Sequence, residues 1–327
     1  MSESLSEQIS GFVASRREQI EGELWRRLPV STLPRAGRLN EAIEYAVFPG
    51  GKRLRPALAL LAAGLAGATR EQGMAVACAA EFLHSSSLVL DDLPSMDDAD
   101  LRRRRPALHL VYGEGVAVLA AVALLNHSYA LLAEAARGGG AHAGPSLVRE
   151  AARCVGSDGM VGGQAVDLLT RAGETDADAL ACRELKTVAL MRLLMTAGAL
   201  ARGADAGDTC ALSEFGECLG RAYQLCDDVL DEAQGCEVTG KPAGQDARHL
   251  RASAVVSLGA DGARDLAERL VARGVSRLYE RFGAREEVLL LADAAYLVLD
   301  GAGDAGVRPG GARLASEGAE AFENVVH

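Results

Sequence analysis

Carboxylates and guanidinium groups are concentrated beside a long apolar segment between His84 and His109. Five aspartates lie within ten positions, and four consecutive arginines at 102–105 follow them. Carboxylates at such short spacing repel one another unless a cation offsets their charge. Oxygen ligands without histidine or cysteine favour Mg²⁺, which commonly bridges to substrate phosphates, while arginines supply forked donors for phosphate oxygens. The stretch therefore predicts one site for a metal ion and a phosphate group. Its aspartates are Asp91, Asp92, Asp97, Asp98 and Asp100.

Two plainer interpretations compete for this stretch. The aspartates can form an acidic helix end followed by a solvated basic face, or the arginines can form a nucleic-acid patch. The net charge of -11 and the pI near 5.1 argue against nucleic acid, because no bulk positive field would attract a phosphate polymer. A small anion is therefore the better partner for the arginines.

A second acidic cluster follows the apolar helical pattern that ends near residue 231. Asp227 and Asp231 are one helical turn apart, and Asp228 is three positions before Asp231, so the carboxylates share a face of a helix. Two such clusters at the ends of apolar helices are harder to explain as solvated surface than one.

Other segments carry polar residues that suit an anion site. The pair Gly50-Gly51 allows close backbone approach, and the Lys52 and Arg55 that follow can bind an anion at the mouth of the next helix. Gln164 and Asp167 lie three apart on one helix face. Lys186 lies between apolar turns, where a lysine usually extends outward to solvent. Solvation, capping or packing explains each of these equally well in isolation.

The composition favours an all-α chain. Hydrophobic residues make up 49% and aromatic residues only 4%, which suits close-packed helices better than sheets. The odd count of seven cysteines, without a CxxC pair, indicates reduced thiols and a cytoplasmic location. The uncharged run 115–133 carries Asn126, His127 and Ser128 at its middle. We therefore expect a buried helix there and no transmembrane segment.

Apolar periodicity and turn signals divide the chain into helices within one domain, 1–327. The predicted helices are 4–28, 38–47, 57–66, 71–92, one long helix from Pro106 to Arg137, 176–201, 247–259, 261–282 and 284–300. The glycines at 138–140 and Pro145 predict a surface link. Residues 1–28 are predicted to form the N-terminal helix of this domain, and 301–327 are predicted to form a Gly-rich loop and tail.

With these residues in hand, the sequence resembles the trans-isoprenyl diphosphate synthases, the polyprenyl synthetase family. Six motifs in this order carry the resemblance. They are GGKRLRP at 50–56, DDLPSMD at 91–97 with Arg102 and Arg103, GGQAVDL at 162–168, Lys186-Thr187, YQLCDDVLD at 223–231 and GKPAGQD at 240–246.

The resemblance implies an isoprenoid synthase-type helical bundle around a central apolar cavity, usually in a homodimer. It implies isopentenyl diphosphate and an allylic diphosphate as substrates, and Mg²⁺ as cofactor, with three ions per active site. By this resemblance Asp91, Asp97, Asp227 and Asp231 bind metal, with Asp92 and Asp228 supporting them. The residues matched to allylic diphosphate contacts are Arg102, Lys186, Thr187, Gln224 and Lys241, and those matched to isopentenyl diphosphate are Lys52, Arg55, His84 and Arg103. The predicted substrate-binding set also includes Gln164, Tyr223 and Arg251. The predicted catalytic residues are Asp91, Asp92, Asp97, Lys186, Asp227, Asp228 and Lys241.

Four positions depart from the common pattern of that family. Leu90 stands where many relatives have His, Ala99 where Asp is common, Arg104 where Gly follows the double Arg, and Arg251 where Lys often closes the diphosphate site. Arg251 keeps the charge. Arg104 replaces a flexible turn residue and puts the metal geometry or the allylic preference in doubt, although no predicted metal ligand is lost.

Residues on the helix before Asp91 predict the product length. Ser86 and Ser87 lie about one turn before Asp91, where synthases of C15 products often carry an aromatic residue. A helical turn rises about 5.4 Å, which is comparable to one isoprene unit, so small residues here admit one more condensation. Phe82, one turn deeper, is the predicted floor. The expected product is therefore geranylgeranyl diphosphate, C20.

Alternative functions are a synthase of C15 or of C25 and longer products, a class I terpene cyclase, and a non-catalytic regulatory subunit of a synthase. A cyclase needs no isopentenyl diphosphate site, so Lys52, Arg55 and His84 argue against it. A regulatory subunit would be expected to lack acidic ligands that this chain retains.

Overall fold

The computed structural model describes residues 5–169, 177–237 and 254–300, with residues 5–6, 177–184, 231–237 and 254–257 described by their backbone alone. Helices account for most of this part of the chain, which confirms the prediction of an all-α fold. The elements are α1 (Leu5–Arg26), α2 (Gly37–Val47), α3 (Leu54–Leu65), α4 (Arg70–Asp91), β1 (Leu101–Arg102), β2 (Arg105–Pro106), α5 (Leu108–Tyr112), α6 (Glu114–Ala135), α7 (Ala143–Val155), α8 (Met160–Leu169), α9 (Ala177–Arg202), α10 (Ala206–Glu237), α11 (Ala254–Phe282) and α12 (Glu286–Leu299).

Helix α4 lies at the centre of the bundle and ends at the first acidic cluster. Its start is fixed by a capping box, in which Thr69 Oγ1 accepts from the Gln72 N–H at 3.2 Å and Gln72 Oε1 accepts from the Thr69 N–H at 3.0 Å. The helix packs against α3, α6 and α9, and most of its residues are buried. Alanines at 75, 77, 79 and 80 let these neighbours approach closely. The core therefore fixes the position at which Asp91 emerges.

Helices α9 and α10 form the opposite side of the bundle and pack closely together. A Cβ at Gly216 would lie 2.9 Å from Arg192 Cα, and one at Gly220 would lie 2.8 Å from Val188 Cα. Glycine is required at both positions because the backbones of the two helices approach there. Helix α9 also packs against α4, so it lies between the two helices that carry the acidic clusters.

Two features of the middle of the chain differ from prediction. The long helix after Pro106 is divided by Gly113, whose φ of 84° is outside the helical region, into α5 and α6. The predicted link around Pro145 contains the start of α7 instead. Pro145 is the third residue of this helix, where its missing N–H needs no partner within the helix. The prediction of one unbroken helix after Pro106 was wrong. The predicted link was correct at 138–140 but wrong at Pro145, because glycine and proline act according to their exact position.

Two described helices, α4 and α6, are long and apolar enough to cross a membrane. In α4, 78% of the most apolar window is buried among other helices, and in α6 39% is. The core of a helical bundle explains the composition of α4. The prediction of a buried helix was wrong for the outward face of α6, where Leu119 is 58% and Val122 51% exposed.

Candidate active site

The first acidic cluster is formed by the end of α4 and a loop that turns back over it. Asp91 is the last helical residue, and the N–H of Asp97 donates to the Asp91 carbonyl at 2.9 Å. The N–H of Asp98, with φ 50°, donates to the Leu93 carbonyl at 3.0 Å. These bonds satisfy carbonyls at the helix end and return Asp97 to the vicinity of Asp91. The six-residue spacing therefore still brings two carboxylates together.

The carboxyl group of Asp91 is buried, and its pKa is raised because burial disfavours the charged form. The ammonium group of Lys186 opposes this shift in pKa, with Nζ 3.2 Å from Asp91 Oδ2, while the negative charge of Asp97 adds to it. A group that needs a positive neighbour in order to ionise is suited to binding a cation.

A short hairpin, β1–β2, presents the arginines beside this cluster. Leu101 pairs with Pro106 and Arg102 pairs with Arg105. The two central residues, Arg103 and Arg104, have φ of 53° and 63°, as the mirror-image turns of tight hairpins require. Arg102 forms an ion pair with the buried Asp92, its Nε 3.0 Å from Oδ1 and 3.2 Å from Oδ2. The pair holds the hairpin against the end of α4.

Helix α9 connects the two acidic clusters through consecutive residues. Lys186 contacts Asp91 on α4, as described above, and Thr187 Oγ1 donates to Gln224 Oε1 on α10 at 3.2 Å. Gln224 in turn donates from Nε2 to Asp228 Oδ1 at 2.9 Å. The two clusters predicted from separate parts of the sequence therefore lie on either side of one helix.

The remaining predicted ligands of the second cluster are less completely described. Asp227 is exposed, and only the backbone of Asp231 is described. Lys241 and Arg251 lie outside the described residues. Within the described ranges, no group of three or more His, Cys, Asp or Glu side chains is close enough to hold a metal ion.

A basic group lies beside the first cluster, at the start of α3 and the middle of α4. Arg55 has a buried Nε without a hydrogen-bond partner, and its Cζ lies 5.8 Å from the ring centroid of Tyr223. The pKa of His84 is well below its usual value, because burial and the charges of Arg55 and Arg103 disfavour the imidazolium. Lys52 is exposed at the preceding turn. An unpartnered buried guanidinium N–H and clustered positive charge suit an anionic ligand.

Gln164 on α8 lies against the loop of the first acidic cluster. Its Nε2 is 3.6 Å from Met96 Sδ, and its Oε1 is buried without a partner among the described residues. A packing role alone does not account for a buried amide oxygen without a donor.

The residues predicted to set product length follow successive turns of α4. Ser86 Oγ donates to the Ala121 carbonyl of α6 at 2.9 Å, while Ser87 Oγ donates to the His84 carbonyl within its own helix at 2.9 Å. Phe82 is fully buried, and its ring centroid lies 6.0 Å from that of His127 on α6. Phe82 therefore packs in the core one turn before Ser86. The contact with His127 was not predicted, because no local pattern pairs two residues 45 positions apart.

A buried ion-pair network was also missed by sequence reasoning. Arg53, between the two predicted anion-binding residues of GGKRLRP, is 2% exposed and pairs with Glu21 and Glu81. The only sequence signal was a glutamate within the apolar helix α4, which needs a partner when buried.

Comparison with known proteins agrees with this geometry. The family described as polyprenyl synthetase matches residues 36–276. The chain is 37% identical over 262 residues to the chloroplastic geranylgeranyl pyrophosphate synthase of Catharanthus roseus, which covers 80% of this chain and 73% of that protein. It is 36% identical to the farnesyl diphosphate synthase of Geobacillus stearothermophilus, over 79% of this chain and 86% of that protein.

Among solved structures, an FPP/GFPP synthase from Zymomonas mobilis superposes with a TM-score of 0.78 at 31% identity, covering 90% of this chain and 99% of that one. Both the sequence and the fold match over most of the chain. The chain therefore belongs to the polyprenyl synthetase family of trans-prenyltransferases.

Proposed function

We propose that this protein condenses isopentenyl diphosphate with dimethylallyl, geranyl and farnesyl diphosphates and releases mainly geranylgeranyl diphosphate. The contact of α9 with both acidic clusters carries the proposal. Lys186 reaches Asp91 while Thr187 reaches Asp228 through Gln224, so one helix sets the distance between the two clusters. Carboxylates on either side of one helix suit a diphosphate held between them.

The allylic diphosphate is proposed to lie between these clusters. Asp91 and Asp97 would hold Mg²⁺ from one side and Asp227 and Asp231 from the other, three ions in all by analogy with the family. Bound Mg²⁺ would neutralise the charge that grows on the diphosphate as it leaves. Lys186 adds a cationic group at the same place, and its ammonium would move from Asp91 to the diphosphate oxygens as charge develops there.

The isopentenyl diphosphate is proposed to bind the basic group formed by Lys52, Arg55, His84 and Arg103. Burial and the nearby arginine charges lower the pKa of His84 in the unliganded protein, and an imidazole can donate an N–H to a phosphate oxygen. The allylic C–O bond breaks to give a carbocation and diphosphate. The isopentenyl double bond then attacks that cation, and loss of a proton, for which the departing diphosphate is the nearest base, restores an alkene.

The product length is proposed from two residues of α4, Ser86 and Phe82. The relatives that match this chain carry names with different products, among them geranylgeranyl, farnesyl and geranylfarnesyl diphosphates, so the assignment rests on individual residues. Ser86 is small and bonded to α6, whereas the fully buried Phe82 lies one turn further from the aspartates. The four-residue step corresponds to about 6 Å along the helix, which accommodates about one isoprene unit more than an aromatic at 86 would allow.

A homodimer is proposed from the outward face of α5 and α6. Leu110, Leu119 and Val122 are each more than half exposed, and Val111 and Val118 lie on the same short stretch of chain. Apolar side chains grouped in this way are typical of a protein interface. A second copy would cover them through a two-fold axis.

Product analysis tests the proposal. Purified protein with Mg²⁺ and isopentenyl diphosphate should extend each of the three allylic diphosphates, with C20 as the largest major product. Conversion of an allylic diphosphate to a hydrocarbon without isopentenyl diphosphate would instead indicate a cyclase. Activity that appears only after addition of a second synthase would indicate a regulatory subunit. Accumulation of C15, or of C25 and longer chains, would contradict the proposal that Phe82 and Ser86 set the product length.

A further inference from the structure

Arg53 lies between two residues assigned to isopentenyl diphosphate, Lys52 and Arg55, but points the other way. It has φ 57° and precedes α3, so the chain turns sharply there and directs its guanidinium into the bundle. A Cβ on Gly50 would lie 1.9 Å from Arg53 Cζ, so a side chain at that position would displace the guanidinium. Neighbouring basic residues in one motif thus occupy opposite environments.

The guanidinium of Arg53 is fully enclosed by acceptors. Its Nε and Nη2 are 2.8 Å and 3.0 Å from the two carboxylate oxygens of Glu21 on α1, and Nη1 donates to Glu81 on α4. Nη2 also donates to the Val47 carbonyl at the end of α2, at 2.9 Å. One side chain therefore joins the loop to three helices. Its charge is compensated by two carboxylates, so it is not a candidate for binding an added anion.

Glu81, the partner of Arg53 on α4, lies close along the helix to the proposed substrate-binding residue His84. Glu81 is 3% exposed and lies three residues before His84, almost one helical turn. The Arg53–Glu81 pair therefore fixes the loop that carries Lys52, and the first turn of α3 that carries Arg55, relative to the helix that carries His84. A guanidinium fork suits this task because it can hold several acceptors at set angles, whereas an ammonium group cannot.

We infer that Arg53, with Glu21 and Glu81, is a positioning residue that aligns the isopentenyl diphosphate subsite without touching the substrate. The inference rests on the proposed function, since it concerns one of its two substrates. Loss of the pair should loosen the mutual placement of Lys52, Arg55 and His84 while leaving the aspartate clusters and Lys186 in place.

The chain offers a matched control for a buried arginine. Arg27 is 8% exposed and likewise lies between two glutamates, with Nε 3.0 Å from Glu23 and Nη1 2.9 Å from Glu134. Neither glutamate belongs to the proposed site. A purely structural role for Arg53 should therefore give kinetic effects like those of a change at Arg27.

The experiment measures kcat, KM for isopentenyl diphosphate and KM for geranyl diphosphate in wild type, Arg53→Lys, Glu81→Gln and Arg27→Met. We expect Arg53→Lys to raise the KM for isopentenyl diphosphate on the order of tenfold, since small misplacements of binding groups have large effects. Glu81→Gln should act in the same direction if Arg53→Lys does not fold. In both variants, the KM for geranyl diphosphate should stay within about twofold of the wild-type value. In Arg27→Met, both KM values should stay within about twofold of wild type.

Equal changes in both KM values, or changes no larger than those of Arg27→Met, would overturn the positioning role. An active wild type with that result would leave the proposed function intact. An inactive wild type would overturn the proposed function and the inference together.

Discussion

A buried carboxyl group on α12 gives the protein an unusual dependence of stability on pH. Asp293 is 2% exposed, its Oδ2 has no hydrogen-bond partner among the described residues, and burial raises its pKa to about 6. Burial also raises the pKa values of its neighbours Tyr279 and Tyr296, and a neutral phenol offers the carboxylate no positive charge. The folded protein therefore holds a proton on Asp293 more tightly than the unfolded chain does.

The sign of the effect follows from proton binding. Between the ordinary carboxyl pKa of 3.8 and about 6, the folded state binds more protons than the unfolded state, so the free energy of unfolding falls as pH rises through that window. Above pH 6 both states carry the charge and the loss is complete. A difference of about two pH units, at 1.36 kcal/mol per unit, sets the loss at about 3 kcal/mol at most.

Asp293→Asn keeps the shape of the side chain and removes the titration. We expect the variant to be more stable than wild type at pH 7.5 by about 1–3 kcal/mol, with the difference becoming smaller as pH falls from about 6 to 4. Urea unfolding followed by circular dichroism at several pH values measures the difference directly. Asp265→Asn, at an exposed position of α11, is the control for removing one negative charge. A wild-type-to-variant difference that is independent of pH from 4 to 7.5 would refute the reasoning.

Three further predictions concern the site and its hairpin. Ser86→Tyr should shift the major product from C20 to C15, because a tyrosine ring at this position would block growth of the chain past α4. Ser86→Ala should leave the product at C20, and sizing of the products tests both variants. Lys186→Met should lower kcat on the order of 10²-fold with a smaller change in either KM, since a cationic group near the departing diphosphate acts mainly in the transition state. Steady-state rates with saturating substrates test it, and an unchanged kcat would contradict the role. Arg104→Gly should raise stability by about 0.5–1 kcal/mol, because Arg104 has φ 63° and glycine adopts that conformation without strain; a lower melting temperature would contradict this expectation.

The sequence was sufficient to predict the helical class, the bounds of α1 to α4, α9 and α12 to within a few residues, and the two acidic stretches. These features depend on local signals, namely apolar periodicity and carboxylates at the end of a helix. The return of Asp97 over Asp91 needed the structure, because backbone bonds across the loop produce it. The connection from Lys186 to Asp91 was also beyond spacing arguments, since a lysine in an apolar helix usually extends to solvent.

The motif GGKRLRP shows the limit of reading residue types. Arg53 and Arg55 are chemically identical, yet one is paired inside the bundle and the other keeps a buried Nε without a partner. The difference depends on the positive φ of Arg53 and on the missing side chain of Gly50, which leaves room for the Arg53 guanidinium. Neither feature can be predicted from the residue types alone. In the same way, Gly113 ended a helix because of its backbone angle, and Pro145 began one because of its position in the first turn.

The adjacency of Lys186 and Thr187 has a mechanical consequence. Neighbouring residues of an α-helix point about 100° apart, so two consecutive side chains of α9 naturally address different neighbours, α4 and α10. Any turning of α9 about its own axis must alter both contacts in the same movement. The contact of Lys186 with Asp91 cannot change without a change in the contact of Thr187 with Gln224. The two halves of the active site are therefore coupled through α9.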